Sequence, residues 1–276
     1  MVDVTAVLPP ERATFLELLA SLAPREWQAA TECPAWTVAG VALHVLGDDL
    51  SLLARQRDAV EKQGLILYGE SHPGLTFREL LDGFNEQWVT AAEFLSPALI
   101  LTLLEATGRW TADFYGAVDP HRLGEPVGLF AVTDASPYWQ ISAREYLERW
   151  VHQHQIRRAL GRDDLGAEFL EPIGAVIAHV MAAHTRVLAL PSGTTIGFEI
   201  IGVNEWTIEL GESEHSVSVG AFDTPTVALA IHAEAATPIL SRALPAADVV
   251  SQLRLTGPDD LTTALANGFA LLAGRP

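Results

Sequence analysis

The spacing of apolar residues changes once along this chain, at Pro191-Ser192-Gly193, and that change limits what the chain can fold into. Before it, apolar side chains recur at helical spacing, as in Phe15, Leu16, Leu18, Leu19 and Leu22 behind Pro9-Pro10. Thr37 is placed to cap a helix over 38–60, and further helices are predicted over 77–95, 97–115, 143–160 and 167–190. Turns are expected at 31–36, Gly64 and His72-Pro73-Gly74, and 118–136, rich in Gly, Pro and Asp, reads as a long connection. After the change, the runs 195–201, 206–210, 216–219 and 227–231 are short, rich in Val, Ile and Thr, and read as strands. Residues 253–256 suit an edge strand, and 233–243 and 261–273 suit helices. The expected fold class is therefore α+β in two domains: a helical bundle over 1–190 and a small α+β domain with an antiparallel sheet over 193–276.

Composition narrows the partners. Among 276 residues, 49% are hydrophobic and seven are Trp, enough for a packed core. The net charge of −18 is spread along the chain and repels nucleic-acid phosphates and anionic lipid, so small molecules are the expected partners. Lys62 is the one lysine among seventeen basic residues, a bias towards arginine codons that points to a high-GC bacterial genome. With one cysteine, Cys33, no internal disulfide can form. The first residues lack the pattern of a signal peptide, and 173–190 is interrupted by His179, His184 and Arg186, so the expected location is the cytoplasm.

The predicted helix over 143–160 carries the chemistry. Glu148 and His152 are four residues apart and share a face, where a carboxylate and an imidazole one turn apart can bind one divalent ion. Glu145 lies on that face too, whereas His154 projects from nearly the opposite side. His44, among Val38, Val41, Ala42, Val45 and Leu46, is the best third ligand, because an imidazole in apolar surroundings needs a partner. Asp48 follows one turn later as ligand or supporting acceptor. By spacing alone, E-x-x-x-H is common on solvent-facing helices, and a lone core His more often meets an ordinary hydrogen-bond partner.

Two longer stretches add to this. Thr31-Glu32-Cys33-Pro34-Ala35-Trp36-Thr37-Val38, then Ala42-Leu43-His44-Val45-Leu46, resembles the CPGWTVxDVxxHL signature of the mycothiol-dependent maleylpyruvate isomerase family. Glu148-Arg149-Trp150-Val151-His152-Gln153, then Ile156-Arg157-Arg158-Ala159-Leu160-Gly161, resembles its second signature, ExxVHxxDIRRALG. Gly83-Phe84-Asn85-Glu86-Gln87-Trp88 is similar to the family's middle helix. The resemblance implies a DinB-like metal-binding four-helix bundle followed by a small sterol-carrier-like domain. It implies zinc, or another divalent ion, on His44, Glu148 and His152. It departs from the family at Gly40 and Gln155, where Asp is usual, and at His154.

The implied chemistry is that of a thiol-dependent isomerase or S-transferase. Three protein ligands leave a fourth position open, and a thiol coordinated there loses its proton. The implied thiol is mycothiol and the implied substrate a small electrophile such as maleylpyruvate. Asn85 is the candidate cofactor-binding residue, and Arg157 and Arg242 are the candidate catalytic residues, for holding a substrate carboxylate. Two other readings stay open: a metal-dependent hydrolase, in which the open position activates water, and a metal- or ligand-binding module without turnover. The chain is expected as a monomer or homodimer. Cys33 is expected to pack, as are Trp36, Trp88 and Trp150, and His179 and His184 lie on different faces.

Overall fold

The computed structural model describes residues 1–60, 64–220 and 224–274. They divide into two compact units, Thr5–Arg122 with Gln155–Asp163, and Met1–Val4 with Leu123–His154 and Asp164–Pro276.

The first unit is helical. Helix α1 (Leu8–Ala20) opens on prolines, whose missing N–H groups cost nothing in a first turn. Helix α2 (Val38–Leu52) begins where expected, with Thr37 Oγ1 accepting from Gly40 N. It ends earlier than 60, because the chain continues from Leu53 to Arg57 as a π-helical turn. A short helix, α3 (Leu65–Ser71), occupies part of the expected loop. Helix α4 (Phe77–Ala92) has a capping box between Thr76 and Glu79. In α5 (Pro97–Ala117), Ser96 caps the first turn and Pro97 begins it. Phe15, Val41, Leu46, Val89, Leu104 and Ile156 meet in the core of this unit. Within that core Arg12 donates to both carboxylate oxygens of Asp49, at 2.7 and 3.1 Å, and to the Leu104 carbonyl. Thr107 Oγ1 also donates to Asp49, at 2.7 Å. Packing and this buried ion pair together fix α2 against α1 and α5.

Helix α6 (Tyr138–Ala159) starts five residues before the expected 143 and runs across the division between the units. In the second unit α7 (Ala167–Ala183) is followed by a one-turn helix, α8 (Thr185–Leu188), so the expected helix over 167–190 breaks at His184. The strands β1 (Thr195–Ile201), β2 (Asn204–Leu210) and β3 (His215–Val219) form a meander, turning first at Gly202, whose φ of 86° a Cβ-bearing residue rarely adopts. Strand β4 (Val227–His232), helices α9 (Ala233–Leu240) and α10 (Ala246–Val250), strand β5 (Arg254–Thr256) and helix α11 (Asp259–Ala273) complete the chain.

The sheet order is β3-β2-β1-β4-β5. The expected antiparallel sheet is corrected here to a mixed one: β4 runs parallel to β1, from Ile196 opposite Val227 to Ile201 opposite His232. The meander leaves one edge of β1 open, and β4 occupies it in the direction of β1. There its Val227, Leu229 and Ile231 extend the buried side of Ile196, Phe198 and Ile200. The switch from helix to strand falls between Leu188 and Thr195. Even so, α7, which precedes that switch, packs on the sheet that follows it. A Cβ on Gly174 would come within 2.1 Å of the Trp206 ring.

Candidate metal and substrate site

On α2, His44 Nε2 stands 3.4 Å from Asp48 Oδ2, one turn on, and the imidazole is almost fully buried. The ring of Trp36 lies against it, centroid to centroid at 4.7 Å. Gly40 makes that approach available, because a Cβ there would meet Trp36 Cβ at 2.9 Å. Trp36 in turn donates from Nε1 to Glu86 Oε2 at 2.8 Å. The aromatic clamp on His44 is invisible to helical periodicity, since Trp36 precedes the helix.

His44 and Asn85, the two candidates from this unit, line one cavity of about 590 Å³. Asp48, Ser51, Phe84 and Trp88 share its wall. Trp88 is held by its indole N–H, which donates to the Leu43 carbonyl at 2.7 Å, and its ring fills the space where Gly47 lacks a side chain. Four-residue spacing on α2 and α4 thus brings together side chains about forty positions apart in sequence.

Glu148 and His152 lie on α6, Oε2 to Nε2 at 3.5 Å. Arg144 reaches both Glu148, at 3.6 Å, and Glu145, at 2.5 Å, so Glu145 is tied into an ion pair on the same face. His154 does something different, as its projection implied. Its Nδ1–H donates to the Trp150 carbonyl at 2.8 Å, and its Nε2 accepts from the Leu165 amide at 3.3 Å. Both ring nitrogens are committed in a fully buried setting, which assigns the neutral Nδ1-protonated tautomer and a structural part. His179 and His184 likewise bond to main-chain carbonyls, of Ala175 and Leu129.

Each of the two pairs, His44 with Asp48 and Glu148 with His152, offers donor atoms of the kind that bind zinc. Ligand atoms placed tetrahedrally about 2.1 Å from zinc lie roughly 3.4 Å from one another. The two imidazole–carboxylate pairs show N···O separations of 3.4 and 3.5 Å. His44 and Asp48 belong to one unit, Glu148 and His152 to the other. Among the described residues, no three His, Cys, Asp or Glu side chains gather into one metal-holding group.

The family model described as "Mycothiol maleylpyruvate isomerase N-terminal domain" matches residues 8–157, more than half of the chain. The chain belongs to this family. The maleylpyruvate isomerase match spans α1 to most of α6 and so includes His44, Asn85, Glu148 and His152. Among solved structures, the chain is similar to a mycothiol-dependent maleylpyruvate isomerase at 11% identity and a TM-score of 0.48, covering 86% of this chain and 87% of that one. It is also similar to the sterol carrier protein domain 2 of Helicoverpa armigera, at 20% identity and a TM-score of 0.29, over 37% of this chain and 86% of that one. Sterol Carrier Protein 2 Like 2 from Aedes Aegypti is similar at 24% identity and a TM-score of 0.25, over 35% and 93%. A search of curated proteins finds no match. No helix among the described residues is long and apolar enough to cross a membrane.

The arginines have local partners. Arg157 donates from Nη1 to the Asp163 carbonyl at 2.9 Å, and Arg158 forms a two-pronged pair with Glu32. Arg242 lies beyond the end of α9 with a φ of 58°, and its Nε donates to the Gly274 carbonyl at 3.1 Å. Cys33 is half-buried, and its Sγ–H donates to Gln155 Oε1 at 3.2 Å. Burial first, then the nearby Glu32 carboxylate, push its pKa up, so this thiol is held protonated.

Proposed function

We propose that this protein is a thiol-dependent isomerase or S-transferase acting on a small electrophile, with a divalent ion, zinc in the first instance, on His44, Glu148 and His152. The observation that carries the reading is that one family match spans all three positions, while each imidazole keeps a carboxylate at ligand–ligand spacing one turn away. Bound there, a three-ligand zinc ion supplies an open position and the positive charge that deprotonates a thiol. Mycothiol is the thiol we assign, by membership of the family.

The chain's own residues supply the rest. Asp48, beside His44 Nε2, favours an imidazole fixed in orientation, and Trp36 holds that ring from its face. Arg144 keeps Glu148 and Glu145 on the His152 side of α6. Asn85 offers an amide to the cosubstrate from the same cavity wall as His44. Arg157 or Arg242 would hold a substrate carboxylate. For isomerisation, the thiolate adds to an activated double bond, forming a C–S bond as the electron pair moves to the conjugated carbonyl. Rotation and expulsion of the thiolate then give the other isomer and return the thiol. The acidic surface fits a cytoplasmic protein working on small molecules, as monomer or homodimer, apart from nucleic acid and membranes.

The test uses purified, metal-loaded protein with cobalt in place of zinc. Millimolar mycothiol should produce an intense thiolate charge-transfer band, and turnover of maleylpyruvate or a similar electrophile should require the thiol. Hydrolysis without thiol dependence would replace this reading with the hydrolase, and metal binding without turnover would leave a binding module.

A further inference from the structure

Resting on the reading of His44 as a metal ligand, we propose that Glu86, on α4, is a positioning residue that sets the His44 imidazole through Trp36. The turn before α2 fixes the Trp36 backbone: its N–H donates to the Cys33 carbonyl at 2.9 Å, and its carbonyl accepts from Thr31 Oγ1 at 2.8 Å. What the turn leaves open is the direction of the indole. Glu86 Oε2 decides it by accepting from Trp36 Nε1 at 2.8 Å, and Glu86 Oε1 accepts from Thr90 Oγ1, one turn further along α4, at 3.4 Å. A hydrogen bond to a carboxylate is stronger than one between neutral groups, so Glu86 can hold an indole that is only half-buried.

The held indole restricts His44. Its ring lies 4.7 Å from the imidazole, centroid to centroid, with 31° between the planes, so it covers the imidazole face. The outer side-chain torsion of a histidine is broad, and only packing on the ring's face or edge narrows it. Here Trp36 packs the face, and Asp48 Oδ2 stands 3.4 Å from Nε2 at the edge. The same helix, α4, holds the backbone that carries His44. Trp88 Nε1 donates to the Leu43 carbonyl at 2.7 Å, and its ring lies where a Cβ on Gly47 would come within 2.4 Å. Backbone and ring of His44 are therefore both set by α4, the backbone through Trp88 and the ring through Glu86 and Trp36. Groups that orient a metal ligand in this way typically change metal affinity by about ten- to a hundredfold when removed.

The experiment uses the full chain with zinc, which is diamagnetic, and follows the His44 ring protons by NMR, identified by their absence in His44→Gln. The indole ring current shifts protons stacked on it. In Glu86→Ala the His44 signals should move towards those of an unstacked histidine, and in Glu86→Gln, whose amide oxygen still accepts from the indole, they should return. Zinc affinity by chelator competition should fall by about tenfold in Glu86→Ala and stay within about threefold of the parent in Glu86→Gln. Glu86 is exposed, so both variants should keep the parent's circular dichroism. In Trp36→Phe, which has no N–H to donate, adding Glu86→Ala should change neither readout further. An unmoved His44 signal in Glu86→Ala, no recovery in Glu86→Gln, or a full further loss on adding Glu86→Ala to Trp36→Phe would each overturn the proposal. A parent without zinc affinity would remove the preceding reading, and the His44 signal would still decide this one.

Discussion

Glu148 Oε2 and His152 Nε2 stand 3.5 Å apart on one turn of α6, and two residues further on His154 has both ring nitrogens bound to main-chain groups. The contrast separates a histidine that remains suited to a metal from one that the fold has consumed.

Metal content should follow that contrast. Purified protein is expected to carry about one divalent ion per chain, given a three-ligand site. His44→Ala and His152→Ala should each lose most of it by elemental analysis. His154→Ala should keep it while lowering thermal stability, because the Leu165 amide and Trp150 carbonyl lose their partner. Equal metal loss from His152→Ala and His154→Ala would refute the ligand assignment.

The pair of Arg12 and Asp49 should matter for stability more than any surface charge. Asp49→Ala leaves a buried guanidinium without its carboxylate, at an expected cost of about 3–5 kcal/mol in denaturant unfolding. Replacing an exposed pair such as Arg78 and Asp82 should cost about 1 kcal/mol or less. Comparable losses from both would mean that the buried network is not what fixes α2.

Cys33 should react slowly. Its pKa is raised by burial and by Glu32, so at any given pH less of it is thiolate, the reactive form, than of a free thiol. Alkylation by iodoacetamide at neutral pH should therefore lag free cysteine and accelerate only above the ordinary thiol range. Gln155→Asp would put a second carboxylate beside Sγ and slow it further. Rapid modification at neutral pH would contradict the assignment.

The sheet should depend on α7. Gly174→Val forces side-chain atoms into Trp206, and we expect a loss of about 1–3 kcal/mol by thermal or chemical melting. For the same reason a fragment starting at 193 lacks the helix that covers Trp206. It should show weak near-ultraviolet circular dichroism, whereas a fragment starting at 164 should show a fixed aromatic signal. Matching signals from both would place the folding boundary at Pro191-Ser192-Gly193 and count against this dependence.

What the sequence determined by itself is local. Thr37 and Ser96 as caps, Glu148 and His152 on one face, and the alternation of β1 to β4 follow from bond geometry and from periods of 3.6 and 2 residues. The π-helical end of α2 and the break at His184 escaped it, because both lie inside runs whose composition suits a regular helix. Tertiary structure alone decided the rest. Periodicity tells a strand which face is buried but not which edge it joins, so the parallel pairing of β4 with β1 had no local signal. Arg12 and Asp49 meet across 37 positions, and their pairing depends on the closeness of two helices that no single-helix pattern encodes. The same is true of the cavity: α2 marks His44 as a buried imidazole, but only the packing of α4 puts Phe84, Asn85 and Trp88 opposite it.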